Sequence, residues 1–121
     1  RSDFVMIRGQ QFTVEVVRTP EAQSRGLSGH ALLAANEGML FPFSAGSMPG
    51  FWMKDMLFSI DIVWIASGRV VGFVERAPID DRLNRMTYYP PQPITDVLEI
   101  AAGTVARLGV VAGDTVVQGA N

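Results

Sequence analysis

Hydrophobic and polar positions alternate with a period of two along much of this chain. From Gln11 to Arg18, Phe12, Val14 and Val16 fall on one face and Thr13, Glu15 and Val17 on the other, nearly the pattern of a half-buried strand. Phe4 to Arg8 reads as a strand before it, broken by Gly9-Gln10. Phe58 to Ile65 is the clearest central strand: Phe58, Ile60, Ile62 and Trp64 share one face, and Ser59, Asp61, Val63 and Ile65 the other. Ala66-Ser67-Gly68 supplies a turn, and Arg69 to Glu75 reads as its hairpin partner. Gly38 to Phe41 looks like a short buried strand stopped by Pro42. Thr95 to Ile100 and, after a Gly113-Asp114 turn, Thr115 to Gln118 complete the set.

Helical signals are few. Thr19-Pro20-Glu21 is a helix start, with Thr19 as cap, Pro20 at the first helical position and Glu21 at the positive end of the dipole. Gly26 ends that helix, and His30 to Asn36 offers another turn or two. Ala101 to Leu108 reads as a second short helix, ended by Gly109. Ala77 to Pro93 is too long and too rich in proline for an ordinary connection, which marks it as a functional loop or a cover over one end of the fold. Its Tyr88-Tyr89 pair suits aromatic anchors of a strand-like wrap. The expected architecture is mainly β (β-rich α+β): a small closed or partly open barrel-like domain with one or two short helices. Closure would remove exposed strand edges.

Length and composition narrow the classes. The 121 residues suit a single domain spanning 1–121, and 48% hydrophobic content favours a folded core. Ten basic against twelve acidic residues leave a formal charge of −2 with no basic stripe, so no nucleic-acid partner is expected. The absence of cysteine excludes disulfides, thiolate metal sites and cysteine nucleophiles. No apolar run approaches a membrane span, so no transmembrane segment is expected in this soluble chain. The opening Arg1-Ser2-Asp3, without methionine, suits a processed or trimmed chain.

Candidate chemistry concentrates in a few residues. Asp61 interrupts an apolar strand, where a carboxylate is costly unless paired, hydrogen-bonded or protonated. It reads either as an acid/base or ligand-binding group, or as a structural carboxylate paired with Lys54, Arg25 or backbone amides that fixes the Phe51–Leu57 loop. Glu99 poses the same question at a strand–helix junction: a site shared with Asp61, or a cap or salt bridge at the Ala101–Leu108 helix. Phe51-Trp52-Met53 beside Lys54-Asp55 is the best binding candidate, since aromatic rings offer contact area and adjacent polar groups orient a ligand. Its structural alternative puts Phe51 and Met53 in the core and Trp52 over a barrel rim.

Other motifs point away from common chemistries. His30 is the single histidine and cannot make a multi-histidine metal site. Asp80 and Asp81 lack a calcium-loop pattern. None of the serines lies in a nucleophile elbow, and the glycines at 26 and 29 do not form a phosphate loop. No cofactor and no metal are therefore expected.

Three blocks, taken in order, resemble a known family. They are Arg25-Gly26-Leu27-Ser28-Gly29 with Gly38-Met39-Leu40-Phe41; Phe51-Trp52-Met53-Lys54-Asp55 with Leu57 and Asp61-Ile62; and Leu98-Glu99 with Ala102-Gly103 and Gly113-Asp114. This resembles the bacterial and archaeal domain of unknown function 192, over roughly Phe12 to Val117. The resemblance implies a small β-rich domain, commonly exported, which points to a periplasmic or extracellular setting. The chain departs from the family pattern twice, with Ser28 in place of a methionine and Asp55-Met56 in place of asparagine-threonine.

The resulting expectation is a non-catalytic ligand- or protein-binding accessory domain of the cell envelope. Its partner would be a small molecule, a glycan or a protein. The ligand-binding candidates are Phe51, Trp52, Met53, Lys54, Asp55, Asp61, Glu99 and Arg25. The alternative is a small hydrolase- or lyase-like enzyme using Asp61 and Glu99, with Lys54 or Arg25 stabilising negative charge. A further alternative is a purely structural interaction domain that covers an exposed Trp52–Met53 patch in an oligomer.

Overall fold

A computed structural model describes residues 3–80 and 85–120. The calcium reading of Asp80 with Asp81 falls partly outside them, at Asp81. Nine strands and two short helices are formed by the described residues. In chain order they are β1 (Asp3–Ile7), β2 (Gln10–Val16), α1 (Pro20–Arg25), β3 (Glu37–Ser47), β4 (Phe51–Trp52), β5 (Ile60–Ala66), β6 (Arg69–Ala77), β7 (Thr87–Tyr88), β8 (Ile94–Ala101), α2 (Thr104–Leu108) and β9 (Val116–Ala120). Seven strands make one sheet in the order β6-β5-β8-β3-β2-β1-β9, and β4 pairs with β7 in a separate ribbon.

All pairings are antiparallel except β2 with β3. Parallel neighbours cannot be joined by a tight turn, so the chain between Val16 and Glu37 makes a long crossover that carries α1. The two edge strands approach each other at one corner. There Arg69 bridges to Thr115, and Val116 N–H donates to the Gly68 carbonyl at 2.8 Å and Val70 N–H to the Asp114 carbonyl at 2.9 Å. The result is a mixed sheet curled into a partly open half-barrel with two short helices.

The alternation read from the sequence sorts side chains onto the two faces of this sheet. Val5, Phe12, Val14, Leu40, Val63, Ile65, Leu98 and Ile100 fill the inner face, joined by Val105 of α2. Met39, Phe41, Ile60, Ile62, Trp64 and Val97 form a second cluster on the outer face, which is covered by Leu27, Met53 and Met56.

Several local expectations are corrected. His30 to Asn36 is irregular chain ending in a turn at Ala35-Asn36 rather than a helix. The second helix begins at Thr104, because β8 continues to Ala101. Pro42 does not stop β3, which runs on to Ser47 through an irregularity after Pro42. The reason is positional: β2 has left the sheet by Val16↔Leu40, and Val17 N–H bonds the Leu40 carbonyl. Pro42 shares that direction with Leu40, so its missing N–H faces a vacated edge, where proline is tolerated.

Candidate functional site

The crossover and the β4–β7 ribbon do not lie flat on the outer face. Between them and the sheet is a cavity of about 260 Å³, lined by residues 23–28 at the α1 end, by Phe41 and Phe43 of β3, by Phe51 and Trp52 of β4, and by Met56 and Glu99. Thr19 caps α1 by accepting from Ala22 N–H at 3.1 Å. Gln23 then ties the helix down, donating through Nε2 to the carbonyls of Val17 at 3.0 Å and Pro42 at 2.9 Å. Phe51 is the keystone of the aromatic wall. It meets Phe41, Phe43 and Trp64 edge-to-face, with ring centroids 5.0, 6.1 and 5.7 Å away, a favourable quadrupole arrangement.

Gly50, at the entry to β4, allows the ribbon to close. A Cβ there would lie 2.7 Å from Thr87 Cγ2 and 2.8 Å from Tyr89 Cε1. Gly50→Ala should therefore push the Thr87 and Tyr89 side chains aside and cost about 1 kcal/mol. Urea unfolding followed by tryptophan fluorescence measures this, and unchanged stability would contradict the close approach.

Glu99 lies beneath this wall. Met39 and Ile62 flank it across the ladder, and it is 5% exposed. Among the described residues its Oε1 is buried with no hydrogen-bond partner. Burial alone pushes its carboxyl up to about 8, so at neutral pH the group is held mainly as the neutral acid.

Asp61 takes no part in this arrangement, although its backbone is a near neighbour of Glu99. It pairs across the ladder with Ile100, while Glu99 pairs with Ile62. Directly opposed residues share a face and neighbours alternate, so the two carboxyls project to opposite sides of the sheet. Asp61 is fully buried on the inner side. Its Oδ1 accepts from Arg76 N–H at 2.8 Å and Gly103 N–H at 3.2 Å, and its Oδ2 from Val105 N–H at 2.8 Å. The Arg76 amide is free for this because β6 shifts register between Ile60↔Ala77 and Ile62↔Val74, with Arg76 at φ 48. Asp61 thus holds a bulge and the start of α2. The shared acid/base site and the role in fixing the Phe51–Leu57 loop are both corrected, and the partners are amides rather than Lys54 or Arg25. The cap expected of Glu99 is supplied by Asp61.

The remaining candidates divide cleanly. Arg25, Phe51 and Trp52 line the cavity with Glu99. Met53 is buried in the outer cluster rather than offered to a ligand. Lys54 and Asp55 are exposed and border a shallower depression beside Arg25 and Trp52. Lys54 Nζ lies 5.3 Å from the Trp52 ring centroid, a cation–π distance. Phe41, Phe43 and Gln23 were missed. The apolar alternation of Phe41 and Phe43 across Pro42 was the available signal.

Ser28 and Asp55, the two positions where the family resemblance implies other residues, lie on segments that meet in space. Ser28 Oγ donates to the Lys54 carbonyl at 2.7 Å, and Gly29 N–H to the Asp55 carbonyl at 2.9 Å. Asp55 has φ 60, a left-handed conformation that asparagine and aspartate both tolerate. The backbone shape of this loop is therefore compatible with either residue.

Among the described residues, no group of three or more His, Cys, Asp or Glu side chains is placed to hold a metal ion, and no helix is long and apolar enough to cross a membrane. No curated protein matches the chain. Several solved structures are similar, two of which match nearly the whole chain. A protein of unknown function from Novosphingobium aromaticivorans matches at 31% identity and TM-score 0.85, over 96% of this chain and 83% of its own. A protein from Sinorhizobium meliloti named a "putative transcription regulator" matches at 31% identity and TM-score 0.88, over 98% of this chain and 94% of its own. The model of the family DUF192, described as Uncharacterized ACR, matches residues 4–118, and the chain belongs to that family.

Proposed function

We propose that this chain is a non-catalytic binding domain that takes a small ligand, or a side chain of a larger one, into the outer-face cavity under Phe51 and Trp52. The observation that carries this reading is the unpartnered Glu99 carboxyl beneath an aromatic wall. An aromatic-walled cleft with a few polar groups, here Gln23, Arg25 and Glu99 among them, is the usual make-up of a ligand site. The paired-carboxylate enzyme lacks its geometry, because Asp61 and Glu99 occupy opposite faces. A cell-envelope setting is the part of the proposal that rests on the family resemblance, and fractionation of cells expressing the natural protein tests it. The name of the Sinorhizobium meliloti relative finds no counterpart in charge here, since ten basic residues are offset by twelve acidic ones.

Fragment binding followed by amide chemical shifts tests the cavity. Hits should move Gln23, Gly26, Phe51 and the Trp52 indole, and Phe51→Leu should weaken them at least threefold. Hits that map elsewhere, or hits indifferent to Phe51→Leu, would remove the reading.

A further inference from the structure

We infer that the occupant of this cavity is an organic cation, an ammonium group on an apolar stem, seated with its charge on Glu99 and its stem among the rings of Phe41, Phe43 and Phe51. This deepens the binding reading above and rests on it.

Three observations converge. First, the Glu99 side chain reaches the cavity lining and its sealed Oε1 has no donor among the described residues, whereas native proteins rarely leave a buried carboxyl without a hydrogen-bond partner. An ammonium brings three N–H donors and no acceptor. A neutral alcohol brings only one donor, and a carboxylate ligand brings none. Second, no cation built into the lining reaches Glu99. Glu99 and Arg25 are the charged residues around the cavity. Arg25 is exposed on the last turn of α1, where solvent screens it, and among the described residues no ion pair joins it to Glu99. Met39 and Ile62, the ladder neighbours of Glu99, and Met56 over it are apolar. Nothing built into the cavity therefore supplies a countercharge at the carboxyl. Third, the walls are aromatic, and ring faces attract a partly desolvated cation. Lys54 over Trp52, 5.3 Å from the ring centroid, shows that attraction already at work outside the cavity.

Binding carries a chemical signature. Free protein holds Glu99 mainly protonated at neutral pH. A cation beside it stabilises the carboxylate, so the Glu99 proton leaves to solvent as the ammonium enters. No covalent bond forms or breaks apart from that O–H.

The probes are benzylammonium, benzyl alcohol and benzoate, which share one ring and differ in the charged or polar group. Each is titrated at pH 7 by calorimetry in two buffers of different ionisation enthalpy, with amide shifts recorded in parallel. Benzylammonium should bind at least about tenfold more tightly than benzyl alcohol and release close to one proton. The isosteric Glu99→Gln should abolish both the preference and the proton release. If benzyl alcohol or benzoate matches benzylammonium at the same cavity residues, or if no proton is released, the cation assignment is overturned and the binding reading survives. If none of the probes moves the cavity residues, while unrelated fragments do, the cation assignment again falls alone. If neither set moves them, both readings fall together.

Discussion

Glu99→Gln should flatten the pH dependence of stability between pH 5 and pH 8. In the unfolded chain Glu99 titrates near the ordinary value of 4.5, and in the folded chain near 8. Between those values the folded state binds the extra proton, so its stability falls as pH rises. Below 4.5 both states are protonated and the group has no effect, and above 8 the full penalty of a buried carboxylate is present. At about 1.4 kcal/mol per pH unit, the loss from pH 5 to 8 is on the order of 3–4 kcal/mol. Asp96, raised by desolvation, contributes in the same direction in wild type and variant alike, so the difference between the two isolates Glu99. Urea unfolding at four pH values measures it, and parallel curves for both proteins would sink the claim that Glu99 is folded in its neutral form. A bound cation should flatten the wild-type curve in the same way.

Asp61→Ala should be the most damaging single change in the chain. It removes one side chain and strands three backbone donors, on Arg76, Gly103 and Val105. Each buried donor without an acceptor costs about 1–3 kcal/mol, and the cavity left beside Ile100, the partner of Asp61 across the ladder, adds to it. A loss of about 4 kcal/mol or more is expected, seen as a fall in Tm greater than roughly 10 °C. Asp61→Asn retains one carbonyl oxygen but turns an amino group toward N–H donors, and should lie between alanine and wild type. Hydrogen exchange should show protection lost first at Arg76 and along α2. A variant with near-normal stability would mean that the three amides find other acceptors.

The contrast between these two acids shows what a one-dimensional pattern can carry. Both were visible as carboxylates inside apolar segments, and the alternation around Asp61 placed it correctly on the face of Val63 and Ile65. What could not be read was the register of β5 against β8. That register sets Asp61 opposite Ile100 and Glu99 opposite Ile62, and so decides that the two never meet. The bulge that gives Asp61 its purpose is a second long-range fact, since it depends on how β6 lies along β5. The strands, the α1 cap and the Ser67-Gly68 turn were legible because their signals are local. The cavity was half legible. Phe51 and Trp52 announced themselves as a polar-flanked aromatic pair, whereas Phe41 read only as part of a buried strand and Phe43 lay beyond a proline that normally ends strands. Met53 sits between Trp52 and Lys54 in sequence, yet it is buried while both neighbours are exposed.

The parallel pairing of β2 with β3 separates inheritance of shape from inheritance of specificity. Its crossover, residues 17–36, crosses the outer face and supplies one wall of the cavity while adding no strand to the sheet. Substitutions there can reshape what the cavity accepts without disturbing the inner cluster that stabilises the barrel. On the proposed binding reading, relatives with the same sheet can therefore diverge in ligand through this one segment. A chimera that exchanges it should fold as its parent barrel does and bind as the donor of the segment does.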